Sequence, residues 1–342
     1  MKLSAWETVR AELRRAPRRW LVSGAAGFIG SHLLQELLEL GQTVTGLDNL
    51  STGKRANLED VEQRVGAQAW ARFDFVEGDL RDRDLCLRLC RDAPLVLHQA
   101  ALGSVPRSIE HPVATFDANV RGFFNLFDAA RRGRVPGFVY ASSSSVYGTS
   151  PVLPRRESEL GDALSPYAAS KRLNEIMAQS AHACFAQPSV GLRYFNVFGP
   201  RQDPEGSYAA VIPLWAEAML RGLAPCLHGD GSTSRDFCPV ACVVQANLLA
   251  ALAGPGCHGK VFNVALGQSL TLLELHRRMA CSLGLSAAAS LERGPFRAGD
   301  ARHSQADLSA IQFALGYAPQ QSFDEGLELA MAWYAATAQL PT

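Results

Sequence analysis

Apolar residues in this chain gather in short runs separated by stretches in which they recur every three or four positions, the pattern of strands alternating with helices. Arg19-Trp20-Leu21-Val22-Ser23 predicts a first strand. Gly24-Ala25-Ala26-Gly27-Phe28-Ile29-Gly30 follows, and residues 31–40 then predict a helix that buries Leu33, Leu34, Leu37 and Leu38. Further strands are predicted at residues 43–47, ending at Asp48, and at 73–80, 95–101 and 137–141. A long helix is expected over 114–132, carrying Phe116, Val120, Phe123, Phe124 and Phe127. That stripe is broader than one contact within the chain requires and points to a subunit interface. After residues 190–195 the alternation weakens, and 261–265 predicts one late strand. The order describes an α/β fold, a doubly wound parallel sheet of Rossmann type with a smaller interleaved α/β lobe. Residues 1–195 form the expected dinucleotide-binding domain, to which about 236–266 return, and 196–342 the substrate lobe.

Strand, glycine turn and helix in this order form the phosphate cradle of a dinucleotide fold, here spaced G-x-x-G-x-x-G. Gly24 allows the tight turn, Gly27 lets backbone amides approach a pyrophosphate, and Gly30 lets helix pack on strand, with the helix dipole favouring the phosphates. Asp48, 18 residues after Gly30, is placed to accept hydrogen bonds from the adenosine ribose and would repel a 2′-phosphate, which selects NAD over NADP. Asn49-Leu50-Ser51-Thr52-Gly53 continues under the ribose, and Asp79, beside Leu80, is placed to meet the adenine amino group. Gln99, Ala100 and Ala101 form a small-residue turn where a cofactor can pass, whereas His98 reads as a hydrogen-bonded core histidine.

A second cluster carries acid–base chemistry. Tyr167 and Lys171 stand four apart in Ser165-Pro166-Tyr167-Ala168-Ala169-Ser170-Lys171, on one face of a predicted helix. A neighbouring ammonium favours a phenolate and should lower the Tyr167 pKa towards neutrality. With seven Tyr and four Lys in the chain, about 0.08 such pairs are expected by chance. Ser142-Ser143-Ser144-Ser145 lies at a strand's C-terminal end, where open α/β sheets bind ligands.

Composition narrows the alternatives. The 342 residues, 47% of them hydrophobic, are enough for two lobes. With 33 basic against 33 acidic residues, broad electrostatic capture of nucleic acid is not expected. No apolar run reaches membrane-span length, and residues 1–15 are charged throughout, predicting a short amphipathic helix and no signal peptide. The eight cysteines, Cys86/Cys90 and Cys238/Cys242 among them, form no zinc-like framework. No metal is expected, and free thiols suit a cytoplasmic location.

Taken together, G-A-A-G-F-I-G, L-D-N-L-S-T-G, S-S-S-S-V-Y-G, Y-A-A-S-K, R-Y-F-N-V-F-G-P-R-Q, D-G-S-T-S-R-D-F and R-A-G-D-A-R-H-S resemble an extended short-chain dehydrogenase/reductase, most closely a nucleotide-sugar 4-epimerase. The resemblance covers residues 18–334. It implies Tyr167 as base, Lys171 as its activator, and Ser143 and Ser145 as hydroxyls that hydrogen-bond the reacting sugar oxygen. It implies a bound NAD contacted by the glycine turn with Phe28 and Ile29, by Asp48, Asn49, Ser51, Thr52 and Gly53, by Asp79, Leu80, Gln99, Ala100 and Ala101, and by Tyr167, Lys171 and Tyr194. Asn196, Arg235 and Arg297 match diphosphate contacts, and Asp300 a uridine-ribose contact. Val211, Leu227 and His228 complete the UDP-sugar side. The related 4,6-dehydratases carry Asp-Glu where this chain has Ser144-Ser145, so dehydration is not expected. Ser304 stands where 4-epimerases restricted to UDP-glucose and UDP-galactose have a bulky Tyr. With Gly103, Ser104 and Ala210, it implies space for a 2-acetamido group, hence UDP-N-acetylglucosamine and UDP-N-acetylgalactosamine. The alternatives are UDP-glucose/UDP-galactose, or a UDP-hexuronic acid held by Arg107 or Arg302. The resemblance also implies a role in polysaccharide biosynthesis and a homodimer joined through four helices around 116–127 and 168–184.

Overall fold

The computed structural model describes residues 3–92, 94–204, 210–286, 290–295 and 302–338. Arg297 and Asp300, both expected substrate contacts, lie outside them.

Helix α1 (Ala5–Arg15) opens the chain, its Ser4 hydroxyl accepting the Glu7 amide while the Glu7 carboxylate accepts the Ser4 amide. Strands β1 (Arg19–Ser23), β2 (Thr43–Asp48), β3 (Phe73–Glu77), β4 (Leu95–His98), β5 (Phe138–Ser143) and β6 (Ser189–Tyr194) follow. Between them run α2 (Phe28–Glu39), α3 (Arg55–Trp70), α4 (Arg83–Leu89), α5 (Val105–Glu110), α6 (Pro112–Phe116), α7 (Phe123–Arg132) and α8 (Pro166–Phe185). The second half holds the short strands β7 (Val197–Phe198), β8 (Cys226–His228), β9 (Ser234–Arg235) and β10 (Cys238–Pro239), then β11 (Lys260–Val264), β12 (Leu270–Thr271) and β13 (Glu292–Gly294). Its helices are α9 (Val211–Leu220), α10 (Val240–Ala251), α11 (Leu272–Ser282), α12 (Ser309–Leu315) and α13 (Phe323–Thr337).

Seven strands form one sheet in the order β3-β2-β1-β4-β5-β6-β11, each pair parallel. A parallel sheet must be covered on both faces. One face packs leucines of α2, Leu58 and Val61 of α3, and the almost wholly buried α10. The other packs Leu85 and Cys86 of α4 with Phe123, Leu126 and Phe127 of α7. A third core joins Trp215 of α9, Met279 of α11 and Leu327 and Met331 of α13 into the smaller lobe. The chain order reverses between β1 and β4, which opens a crevice beyond their C-terminal ends.

Several elements depart from their sequence expectation for local reasons. Helix α2 starts at Phe28, inside the glycine motif, because Gly27 already serves as its N-cap. Strand β3 stops at Glu77 and β4 at His98; the following residues turn to meet the crevice. The long helix around Phe116 is interrupted by a π-helical turn over Asp117–Gly122. Its aromatic stripe divides: Val120, Phe123 and Phe127 are buried in this chain's own core, while Phe116 and Phe124 remain half exposed. The expectation that the whole stripe serves an interface is therefore corrected. Residues 116, 120, 123, 124 and 127 span two helix faces, and the sheet covers only one. Among the described residues no helix is long and apolar enough to cross a membrane, and no His, Cys, Asp or Glu cluster is arranged to hold a metal.

Two features of this scaffold can be tested directly. His98 is buried, its Nδ1 2.7 Å from Ser23 Oγ and its ring against Phe123 and Phe138, and desolvation with the nearby Lys171 charge pushes its pKa down to about 3. The unfolded imidazole titrates near ~6.5, so stability held above that value is lost as pH falls through it towards 3. The loss is about 2 kcal/mol by pH 5. Urea denaturation between pH 7 and 5 should show this acid limb, and His98→Gln should remove its share, leaving that of His32, whose pKa burial also pushes down to about 3. A Cβ at Gly30 would lie 1.9 Å from the Gly24 carbonyl oxygen. Gly30→Ala should lower the denaturation midpoint by the equivalent of about 1–3 kcal/mol; an unchanged midpoint would show that the turn can yield.

Candidate active site

The crevice begins at the glycine turn. Gly24 has φ +74°, and a Cβ there would stand 2.8 Å from the Ala100 amide nitrogen, so only glycine permits this approach of the β1 and β4 turns. Gly24 N donates to Leu47 O at 2.7 Å, tying the turn to β2. The first amides of α2, from Phe28 to Gly30, lie within the glycine motif and, at a helix N-terminus, have no partner inside the helix and no side-chain cap. Asp48 lies beneath: its Oδ2 accepts Ala26 N at 3.0 Å and its Oδ1 accepts Leu50 N at 2.8 Å. Burial pushes this carboxyl up, and the Leu50, Ala26 and Asn49 amides oppose the shift. A Cβ at Gly53 would meet both Asp48 oxygens at 2.8 Å, so the glycine leaves the carboxylate open towards the loop. Asn49 donates to Asp79 Oδ2 at 2.8 Å and accepts from Ser51, while Thr52 is exposed. Asp79 is also gripped by Arg81, which holds its carboxyl far below the usual range. Leu80 is buried, its carbonyl accepting from Asn125. Free amides beside glycines that exclude any Cβ, followed by a carboxylate on the next strand, fit a dinucleotide.

Across the crevice, Gln99 and Tyr194 are bonded to each other. Tyr194 Oη donates to Gln99 Oε1 at 3.0 Å and accepts Asn247 Nδ2 at 2.8 Å, while Gln99 Nε2 donates to Asn247 Oδ1 at 3.0 Å. This closed triangle aligns the ends of β4 and β6 on α10. The loop beyond Ala100 and Ala101 is held by Asn119 of the π turn, which accepts Leu102 N at 2.8 Å and donates to Leu102 O and Ser170 Oγ, each at 3.2 Å. Ser104 caps α5 through the Arg107 amide; Gly103 is exposed, and a Cβ there would meet nothing.

Helix α8 presents the acid–base pair. Ser165 is its N-cap and Pro166 occupies its first turn, where a missing N–H costs nothing. The Tyr167 hydroxyl hydrogen-bonds Ser143, and Ser143 Oγ lies 2.9 Å from Ser145 Oγ and accepts Ser145 N at 3.1 Å. Lys171 does not lower the Tyr167 pKa as expected from the four-residue spacing. Its buried ammonium donates to Ala141 O at 2.8 Å, and burial pushes the Tyr167 phenol up against the opposing Ser143 hydrogen bond. Burial also brings Lys171 down to about 8, with Glu175 acting in the other direction. The two groups are thus driven apart: a free phenol and a free ammonium titrate within about half a pH unit of each other, whereas here the ammonium titrates well below the phenol.

A cavity of about 390 Å³ opens in the smaller lobe. Asn196, Ala210, Val211, His228 and Arg235 line it together with Arg302. Asn196, at φ +29°, donates to Asp236 O at 3.3 Å, and Arg235 Nη1 donates to Ser234 O and Arg302 O at 3.0 and 3.1 Å. Leu227 is corrected: strand alternation sends Cys226 and His228 to the cavity and the Leu227 side chain into the lobe's core. Ser304 is half-buried beside β9, its amide donating to Ser234 O at 3.1 Å, and it is not part of this cavity's lining.

Four residues that organise the site drew no notice in the sequence: Asn119, Glu175, Arg193 and Asn247. Glu175 carried a signal, standing eight after Tyr167 on the same helical face. The other three reach the site from elements remote in sequence.

Comparison with known proteins agrees with this geometry. Residues 20–265 match the family described as NAD dependent epimerase/dehydratase family. A UDP-glucose 4-epimerase of Mycolicibacterium smegmatis is 38% identical over 323 residues, 94% of this chain and all of the relative. Among solved structures, the UDP-N-acetylglucosamine 4-epimerase from Methanobrevibacter ruminantium M1, in complex with UDP-N-acetylmuramic acid, superposes with a TM-score of 0.87 at 36% identity, covering 94% of this chain and 99% of that one. The Thermus thermophilus UDP-glucose 4-epimerase in complex with NAD gives 0.81 at 35% identity, with 94% and 100% covered. A switch-point cradle, a Tyr–Lys helix against a serine strand end, and a family match over most of the chain converge: this chain belongs to the NAD dependent epimerase/dehydratase family.

Proposed function

We propose that the chain is a UDP-N-acetylglucosamine 4-epimerase, interconverting that sugar nucleotide and UDP-N-acetylgalactosamine through a transient 4-keto sugar. The coarser statement, an NAD-dependent UDP-sugar 4-epimerase and thus an isomerase, rests on the family match and on relatives of that activity over 94% of the chain. The observation that carries the chemistry is the Tyr167–Ser143 hydrogen bond beside a buried Lys171, with hydroxyls and no carboxylate at Ser144 and Ser145. Elimination of water would call for an acid there.

In this reading Tyr167 takes the proton from the sugar C4 hydroxyl and later returns it, while Ser143 and Ser145 hold the oxygen through the hydrogen-bonded pair they already form. Burial keeps the resting phenol protonated, and the Lys171 ammonium, on the same face of α8, supplies the positive charge that balances the phenolate formed during the transfer. When bound, NAD supplies the oxidant for C4 and then the reductant, leaving the reaction redox-neutral. The glycine turn with Phe28 and Ile29 holds its pyrophosphate, and Asp48, with Asn49, Ser51, Thr52 and Gly53, its ribose. Asp79, Leu80, Gln99, Ala100, Ala101 and Tyr194 line the rest. Asn196, Arg235, His228 and Val211 bind the UDP moiety, with Arg297 and Asp300 as further contacts; a guanidinium suits phosphate oxygens. Because recognition concentrates on UDP, the sugar can present either face to the same base.

Ser304, standing where relatives restricted to UDP-glucose and UDP-galactose have a bulky Tyr, supports the acetamido preference by resemblance together with Gly103, Ser104 and Ala210, of which Ala210 lines the cavity. The exposed Val113, Phe116 and Phe124, with Leu173 and Ile176 of α8, support a homodimer across these helices.

Purified protein given UDP-N-acetylglucosamine or UDP-glucose and followed by proton NMR should epimerise the acetamido sugar faster. Exclusive turnover of UDP-glucose would overturn the pocket argument and keep the mechanism, whereas turnover of UDP-glucuronic acid alone would move the reading to a hexuronic acid. Tyr167→Phe should lower kcat by about 10²–10⁴-fold with UDP affinity nearly unchanged; near-normal turnover would remove Tyr167 from its role. Ser304→Tyr should reduce turnover of the acetamido sugar at least about tenfold more than that of UDP-glucose.

A further inference from the structure

The last three residues of β5 are each fastened to α8. Ala141 O accepts Lys171 Nζ at 2.8 Å, Ser142 Oγ donates to Glu175 Oε1 at 2.6 Å, and Ser143 bonds the Tyr167 hydroxyl. Their partners on α8 stand four residues apart, at 167, 171 and 175, in a line down one helix face. Two of these partners carry the proposed acid–base chemistry. The third, Glu175, is fully buried and has no part in the mechanism above.

Glu175 is also unusually well supplied with donors. Arg193 of β6, itself buried, donates Nε to Oε1 at 2.8 Å and Nη2 to Oε2 at 2.9 Å, a two-pronged pair, and Arg172 Nη1 reaches Oε2 at 3.2 Å. Arg193 Nη1 donates onward to Tyr147 Oη at 3.1 Å and Glu157 O at 2.9 Å. A buried ion pair adds little stability over an apolar pair of equal volume, so the arrangement calls for another use.

We propose that Glu175 is a positioning residue for the Tyr167–Lys171 pair: held by Arg193, its carboxylate locks the end of β5 onto α8 and keeps the Lys171 ammonium charged beneath the phenol. This rests on the reading of Tyr167 and Lys171 given above. The ionisable groups around Lys171 are consistent with it. On α8 it has Tyr167 on one side and Glu175 on the other. From β4 comes His98, buried and neutral, and from β6 comes Arg193, whose charge is matched by that of Glu175. Tyr140 of β5, next to Glu175, is kept neutral by burial. The charge that opposes the desolvation of Lys171 is that of Glu175.

The chain has four lysines, so protein labelled with ¹⁵N at lysine Nζ offers few signals, and Lys171→Met identifies the one sought. In the wild-type protein the Lys171 ammonium should titrate at about 8. In Glu175→Gln it should titrate about one pH unit lower. The alkaline limb of kcat should move with it, kcat at pH 8 should fall about fivefold, and KM should stay within about twofold. Glu175→Asp should return most of the alkaline limb. Should Glu175→Gln not fold, Glu175→Gln/Arg193→Met removes both charges and avoids a lone buried guanidinium, and the same downward titration is expected in it. A folded variant in which Lys171 and the alkaline limb are both unmoved overturns the inference. Failure of the wild-type protein to epimerise any UDP-sugar overturns the functional reading instead, and the Lys171 titration still decides what Glu175 does to its charge.

Discussion

Desolvation governs this active site. Taking an ammonium, a guanidinium, a carboxylate and a phenol out of water together is tolerable only if each finds donors or acceptors in the fold. The end of β5 answers that requirement with one backbone carbonyl and two hydroxyls, and β6 answers it with Arg193. Once those bonds form, α8 has a single register against the sheet, and the crevice wall follows from it. The same burial raises the Tyr167 phenol and lowers the Lys171 ammonium, so that the lysine titrates within reach of neutral pH while the phenol keeps its proton.

Everything else in the crevice is arranged around the reversal of strand order between β1 and β4. There two loops leave the sheet in opposite directions, and the gap is kept open by glycines that cannot be replaced without meeting backbone, Gly24 against Ala100 and Gly30 against Gly24 itself. Strands β6 and β11 extend the sheet on the far side, and the chain leaves it after each of them, through α9 and then through α11 and α13, to build the smaller lobe with a core of its own. Asn196 stands at the point of departure, its positive φ turning the chain off β6 and into the cavity wall. A ligand spanning the crevice and the lobe would therefore have its two ends held by different hydrophobic cores.

Much of this was legible from residue order because it is local. The glycine spacing, the strand that ends at Asp48 and the Tyr-x-x-x-Lys face each depend on residues within one or two turns of each other, and each stands where expected. The misjudgements share one cause. The aromatic stripe around Phe123 looked too broad because its sheet partners, Phe138 and Tyr140, lie beyond the helix itself. Leu227 was grouped with its strand neighbours though alternation sends it inward. The Lys171 ammonium was paired with Tyr167 by spacing, when a carbonyl 30 residues upstream was the nearer acceptor.

By itself the sequence determined the alternation of strand and helix, the place of the phosphate cradle, the presence of a tyrosine–lysine face and the absence of an acid in the serine cluster. These are properties of neighbours along the chain, set by backbone sterics and helical periodicity. Only the tertiary structure decided which groups share a dielectric. The meeting of Arg193 with Glu175, of Asn247 with Gln99 and Tyr194, and of Asn119 with Leu102 joins residues 17 to 148 positions apart. The shifts of Tyr167 and Lys171 follow from such tertiary burial, because burial and hydrogen bonding act through space and leave no periodic trace in the sequence.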